Sequence, residues 1–235
     1  MKSVYLLLAP ALLGLGGCVI DARHLGPLEY STESVEADDS DLVRVDLNMG
    51  AGDLRVTEGT QKLLRGDFSY NVPSWKPKVD YRRSGKQGTL SVSQPGSQHG
   101  NLGDRKYRWD LQLSNKVPLD LGVHFGAGQA RLDLGSLQLR GVTVEMGVGQ
   151  LDLDLRGPVR HSYNVSIHGG IGQATVHLPA DAAIYAEAQG GIGSINVRGL
   201  HKQGGHWESD AWEGAGNRIR VDVQGGIGEI RLIAD

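Results

Sequence analysis

A single cysteine, Cys18, occurs among 235 residues, so no disulfide can form within the chain. Aromatic residues make up 6% of the sequence, which leaves aliphatic side chains to build any core. No apolar run reaches the ~20 residues that a membrane-spanning helix needs; the N-terminal one, Val4–Leu15, is interrupted by Pro10. No stretch keeps apolar residues at helical spacing for more than two turns, which excludes a helical core. Lysine and arginine do not cluster and the formal net charge is −3, which argues against a nucleic-acid partner. A Gly-x-Ser-x-Gly nucleophile elbow is missing.

What is abundant is glycine, 35 residues against 8 prolines, and it recurs in one setting. Gly169-Gly170-Ile171-Gly172, Gly190-Gly191-Ile192-Gly193 and Gly225-Gly226-Ile227-Gly228 each run into an alternating apolar segment, and Gly50-Ala51-Gly52, Gly126-Ala127-Gly128 and Gly147-Val148-Gly149 are looser copies. Period-two alternation from Leu42 onward marks an all-β chain. The repetition marks an array.

Side-chain parity sharpens this. Val165, Ile167, Gly169 and Ile171 share one phase of a strand, whereas Ala174, Val176 and Leu178 share the other. The phase flips at Gly172-Gln173, and all six copies flip at the same place. Each unit is therefore read as strand, glycine hinge, strand, with both apolar faces inward and two outward residues at the corner. The hinge pairs are Gly50/Gly52, Gly126/Gly128, Gly147/Gly149, Gly170/Gly172, Gly191/Gly193 and Gly226/Gly228. From Gly126 to Gly191 they recur every 21–23 residues, one coil of a solenoid. A meander of bent hairpins gives the same parity, so parallel and antiparallel stacking both satisfy it. Two excursions interrupt the array. Residues 57–118 carry short alternating runs at Leu64–Tyr70, Lys78–Arg82, Thr89–Gln94 and Lys106–Leu113, expected to form antiparallel strands beside the first coil. Residues 199–216 carry Trp207 and Trp212, one of which is expected to cap the open end of the array, with sugar stacking as the other reading.

The N-terminus supplies an address. Lys2, the apolar stretch and Leu15-Gly16-Gly17-Cys18 resemble a bacterial lipoprotein signal and its lipobox, in which the cysteine thiol receives the lipid. Residues 1–17 are read as the signal peptide and residues 18–40 as a lipidated, flexible, acidic tether. Residues 41–120 follow as an N-terminal β part, continuous with the Gly-x-Gly repeats of 121–235. The protein is expected to be exported and lipid-anchored to the cell envelope. Val19 after the cysteine points to the outer membrane if the host has one.

The Gly50-Ala51-Gly52-Asp53-Leu54 hinge, the Leu63-Leu64-Arg65-Gly66 segment and the later Gly-x-Gly coils resemble the bacterial toast-rack proteins. These are related to the putative-adhesin β-solenoid lipoproteins and to the cell-wall-active antibiotic response proteins. The resemblance spans about residues 40–235. It implies a β-solenoid-like envelope protein without established enzymatic activity, and it brings no catalytic residues.

The chemistry-bearing residues point the same way. The Gly-x-Gly turns run into strands and not into the helix that a dinucleotide loop requires. The slot that holds an aspartate in calcium-binding β-rolls holds Ala174, Ile195 and Ile230. The histidines at 161, 168, 177, 201 and 206 lack ligand spacing, so neither a metal nor a cofactor is expected. The second segments of the repeats present an outward polar face: Gln129, Arg131, Asp133, Gln150, Asp152, Asp154, Gln173, Thr175, His177, Asn196 and Arg198, with Ser194 beside them. In-register stacking sets Arg131 beside Asp152, and Asp154 beside Asp133 and His177. Such a face suits a cell-wall glycan or another envelope protein, and it equally suits plain solvent surface. The first reading is thus a non-enzymatic, lipid-anchored scaffold for surface polymers or envelope and signalling proteins, in adhesion or envelope-stress sensing. The alternative is a carbohydrate-active β-helix enzyme acting on an acidic polysaccharide, with Asp133, Asp152 and Asp154 as its carboxylates. Asp152 and Asp154 should stand about 6.6 Å apart on one strand face.

Overall fold

The computed structural model describes residues 26–96, 106–214 and 216–235, and within them the apolar alternation becomes thirteen strands. These are β1 (Glu29–Val35), β2 (Leu42–Glu58), β3 (Leu64–Tyr70), β4 (Lys78–Ser84), β5 (Gln87–Ser93), β6 (Tyr107–Leu113), β7 (Leu119–Asp133), β8 (Leu139–Asp154), β9 (Tyr163–Leu178), β10 (Ala183–Arg198), β11 (His201–Gln203), β12 (His206–Glu208) and β13 (Arg218–Ala234). All join one sheet.

Its spine is the six long strands, β2-β7-β8-β9-β13-β10, paired in parallel throughout. Each holds the glycine pair at its middle and carries apolar residues on both arms into one core. Val142, Val144 and Met146 before the bend of β8, and Leu151 and Leu153 after it, are all buried. Short parallel crossovers with both arms of every strand in one core make this a stack of coils, and the meander is excluded. The array does not follow chain order at its end. β13 inserts between β9 and β10, so the last strand is an interior one.

The bend is built by two glycine columns. The second glycine of each pair has positive φ, +144° at Gly172 for example, a conformation closed to most L side chains. A Cβ there would overlap the carbonyl oxygen of Gly149 on the neighbouring strand, and the overlap repeats along the stack. The first glycine of each pair after Gly50 is closed in the same way: a Cβ on Gly170 would overlap the Gly147 carbonyl oxygen. Close backbone approach at both columns is therefore a property of the stack, not of one coil.

The corner is wider than parity suggests. In β8 the buried series stops at Met146 and resumes at Leu151, so Gly147, Val148, Gly149 and Gln150 all lie on the outside. Four outward residues replace the expected two. The residue between the glycines was expected inward, but Val148, Ile171, Ile227 and Ile192 are exposed by 51, 49, 48 and 72%. Only Ala51 is buried, where the Gln94 carboxamide oxygen accepts from the Gly50 and Ala51 amides. Ile195, expected in the core, is 37% exposed because it lies on the last strand of the stack.

Beyond β2 the two arms are extended separately. Its first arm pairs with β5, to which β4 adds antiparallel; its second arm pairs with β6, followed by antiparallel β3 and β1. Phe68, Tyr70, Leu90, Val92, Tyr107, Trp109, Leu111 and Leu113 are buried beneath them. The expected tether of residues 18–40 is thus corrected at its end: Glu29–Val35 is a strand. It lacks apolar alternation because it is an edge strand with one solvated side. At the other end the β11–β12 hairpin covers the first arm of β10, with Trp207 packed on the core. The buried Ser209 fastens it: its Oγ donates to the Ala182 carbonyl and accepts from the Ile184 amide. Among the described residues no helix is long and apolar enough to cross a membrane.

Candidate functional site

Outward residues of the second arms come into register because the strands are parallel and in step. Nearest the bend, Asp53, Gln129, Gln150, Gln173, Glu229 and Ser194 form one row across the sheet. Next come Arg55, Arg131, Asp152, Thr175, Arg231 and Asn196. Asp133, Asp154, His177, Ile233 and Arg198 form the third. Strand spacing places successive members about 4.8 Å apart. The candidates on β7, β8 and β9 therefore meet side by side. Asn196 and Arg198 do not adjoin them, because β13 contributes Arg231 and Ile233 in between. Asn196 is tied back instead, donating to Glu229 at 2.8 Å.

Hydrogen bonds and charge organise this face. The Gln129 amide donates to the Gln150 carbonyl oxygen at 3.2 Å. His177 Nε2 stands 3.6 Å from Asp152, beyond good hydrogen-bond length. Arg156 grips both carboxylate oxygens of Asp154 and reaches Asp235 at 3.3 Å. The two neighbouring aspartates are driven apart in acidity. The Arg156 hydrogen bonds hold Asp154 below its ordinary value, while burial, then the Glu58 and Asp154 carboxylates, raise Asp133. These groups line an open depression of about 260 Å³ with Arg55, Arg131 and His177. No group of three His, Cys, Asp or Glu residues suited to a metal occurs among the described residues. His168 lies exposed on β9 and His161 precedes that strand.

A second cluster was not read from the sequence. Tyr185 on β10 stacks on His206 at 4.4 Å and lies 5.4 Å from Trp212. The guanidinium of Arg220 lies 4.7 Å over Tyr185, and that of Arg218 lies 4.7 Å over Trp212. Trp212 thus belongs to an outer aromatic–cation cluster, while Trp207 carries the cap. The partners come from three separate segments, brought together only because β13 lies beside β10. The alternation of Arg218 and Arg220 in β13 was the one available signal.

Cys18 and the lipobox lie outside the described residues, as does most of the loop between Gln94 and Lys106.

The family described as the N-terminal domain of toast_rack matches residues 25–177. A crystal structure of a putative cell adhesion protein from Clostridium sporogenes is 31% identical, with a TM-score of 0.86 over 88% of this chain and 100% of its own. A putative adhesin from Bacteroides fragilis aligns at 11% identity and a TM-score of 0.27, covering 87% of this chain and 96% of its own. A Parabacteroides distasonis protein named as a putative lipid binding protein aligns at 11% and 0.24, covering 87% and 96%. No curated protein matches in sequence. The family match covers well over half of the chain and the Clostridium sporogenes structure repeats its fold at full length: the chain belongs to the toast-rack family.

Proposed function

We propose that the protein is a lipid-anchored, non-enzymatic scaffold of the cell envelope whose second-arm face binds a surface polymer. The observation that carries this reading is the set of in-register polar rows on the outer face. Gln129, Gln150, Gln173 and Thr175 offer donors and acceptors together, at a spacing fixed by the backbone. Asp152, Arg131 and Arg231 add charges of both signs. Such a face suits a polyhydroxylated chain lying across the strands. The cell-adhesion name of the similar Clostridium sporogenes protein agrees with a surface role. The Leu15-Gly16-Gly17-Cys18 sequence supplies the anchor. The test is a pull-down with purified peptidoglycan and wall polysaccharides. The reading expects binding to at least one of them, with Gln150→Ala/Gln173→Ala weakening it tenfold or more. Binding to none, or unchanged binding by that variant, overturns it.

One observation favours the enzymatic alternative: Asp133 and Asp154 are neighbours pushed to opposite acidities, the pattern of an acid and a base. Against it, Asp154 is held by Arg156. Turnover of an acidic polysaccharide, abolished in Asp133→Asn/Asp154→Asn, would establish it; no turnover removes it.

A further inference from the structure

The residues between the glycines form a row of their own. Ala127, Val148, Ile171, Ile227 and Ile192 pair strand to strand along the outside of the bend. Their only neighbours in the chain are glycines, and from Val148 to Ile192 they are exposed by 48% or more. Every member of this row is aliphatic. Ala51 is covered, whereas Ile192, with the largest exposed fraction, is an isoleucine. Val148, Ile171, Ile227 and Ile192 thus carry branched aliphatic side chains at positions outside the core.

The first described strand meets the same line. β1 runs parallel to β6 through the antiparallel β3, and Glu29 aligns with Tyr70, which aligns with Tyr107. Tyr107 faces Gly52. Leu28, one residue earlier, therefore extends the row of Ala51 and Ala127, and it lines a depression with both. Leu28 is 40% exposed. Seven large apolar residues are exposed among the described residues; five of them, Leu28, Val148, Ile171, Ile227 and Ile192, share this line. The eight peptide units from Cys18 to Gly26 span at most about 29 Å, which keeps a lipid on Cys18 within reach of this edge.

We infer that the glycine-flanked aliphatic ridge rests on the lipid surface beside the anchor, so that anchor and ridge together stand the array on its bend. This deepens the lipid-anchored reading and rests on it. Asp53, Glu145 and Glu229 flank the bend and Lys106 lines the depression beside Leu28, so the contact is confined to the aliphatic side chains of the row and does not require anionic lipid.

The test uses the full lipidated chain in phosphatidylcholine vesicles with brominated acyl chains. Ile192→Trp and Ile227→Trp place a reporter on the ridge; Arg160→Trp places one in the connection at the opposite end. The emission each variant adds over the wild-type chain is compared with and without bromine. The inference expects at least twofold quenching of both ridge reporters and none of Arg160→Trp. Vesicle-bound chain with no ridge quenching, or equal quenching at all three sites, overturns the ridge contact and leaves the anchor standing. Unmodified Cys18 by mass spectrometry, with chain free of vesicles, overturns the anchor and the ridge contact with it. A dimer in sedimentation that Ile171→Ser/Ile192→Ser dissolves assigns the ridge to a second copy and also overturns it.

Discussion

The two ends of the array solve the same problem differently. At the β2 end each arm is continued by a parallel strand, β5 or β6, and then by antiparallel ones, and the core closes over Trp109, which has no solvent exposure. There the corner residue is Ala51, buried under Gln94. At the β10 end only the first arm is covered, by β12 at Tyr185 and Ala186. The second arm of β10 has no further strand among the described residues, and its corner residue Ile192 is exposed. The difference teaches that the repeat sets the bend, whereas the flanking strands decide what each corner residue must be. One sequence motif yields a core position at one end and a surface ridge at the other.

Substitutions can break or sharpen this contrast. Gly172→Val meets both a positive φ and a neighbouring carbonyl oxygen, and should cost roughly 3 kcal/mol or more in denaturant unfolding. Gly205→Val, in the β11–β12 turn with open space around its Cβ, should stay within about 0.5 kcal/mol. Trp109→Ala should cost about 3–5 kcal/mol, while Ile195→Ala at the open end should cost under ~1.5 kcal/mol; equal losses would dissolve the contrast between the ends. Ala51→Ile should overpack the covered corner by about 1–3 kcal/mol. Ile192→Ala should leave the melting temperature within a few degrees, since its side chain is mostly exposed.

The smallest effect is electrostatic. Asp133 is raised in the folded chain, so its ionised form is less favourable there than in the unfolded chain. It weakens the fold at neutral pH and ceases to do so below its unfolded value, near 4. Asp133→Asn should therefore stabilise slightly at pH 7, by under ~0.5 kcal/mol because the side chain is solvent-screened, with the gain fading toward pH 3. Asp154 has the opposite sign: its contribution is present above its unfolded value and is lost in acid. Arg156→Ala should flatten that acid loss in a pH series of melting curves.

Alternation made most of the strands legible, and the glycine pairs located every bend. Parity did not reveal the width of the corner. Val148 and Met146 share a phase, and only the number of residues spent in turning decides that one faces out. Strand order at the end was also hidden. The excursion of residues 199–216 is long enough to carry the chain past β10, and sequence alone does not say on which side β13 returns. That insertion separates Asn196 and Arg198 from Thr175 and His177, and it creates the Tyr185–Trp212–Arg220 cluster. β1 escaped notice because an edge strand needs no inward apolar series. The polar face on β7 to β9 was readable, because consecutive coils of nearly equal length stack in register.

Two surfaces on one molecule are thus assigned to two different partners, and binding to an envelope polymer separates them most directly. Isothermal titration of purified wall polymer into the wild-type chain, Gln150→Ala/Gln173→Ala and Ile171→Ser/Ile192→Ser gives the comparison. The polar-face variant should lose affinity tenfold or more while the ridge variant binds as wild type. Full binding by the polar-face variant, or loss only in the ridge variant, would contradict the assignment.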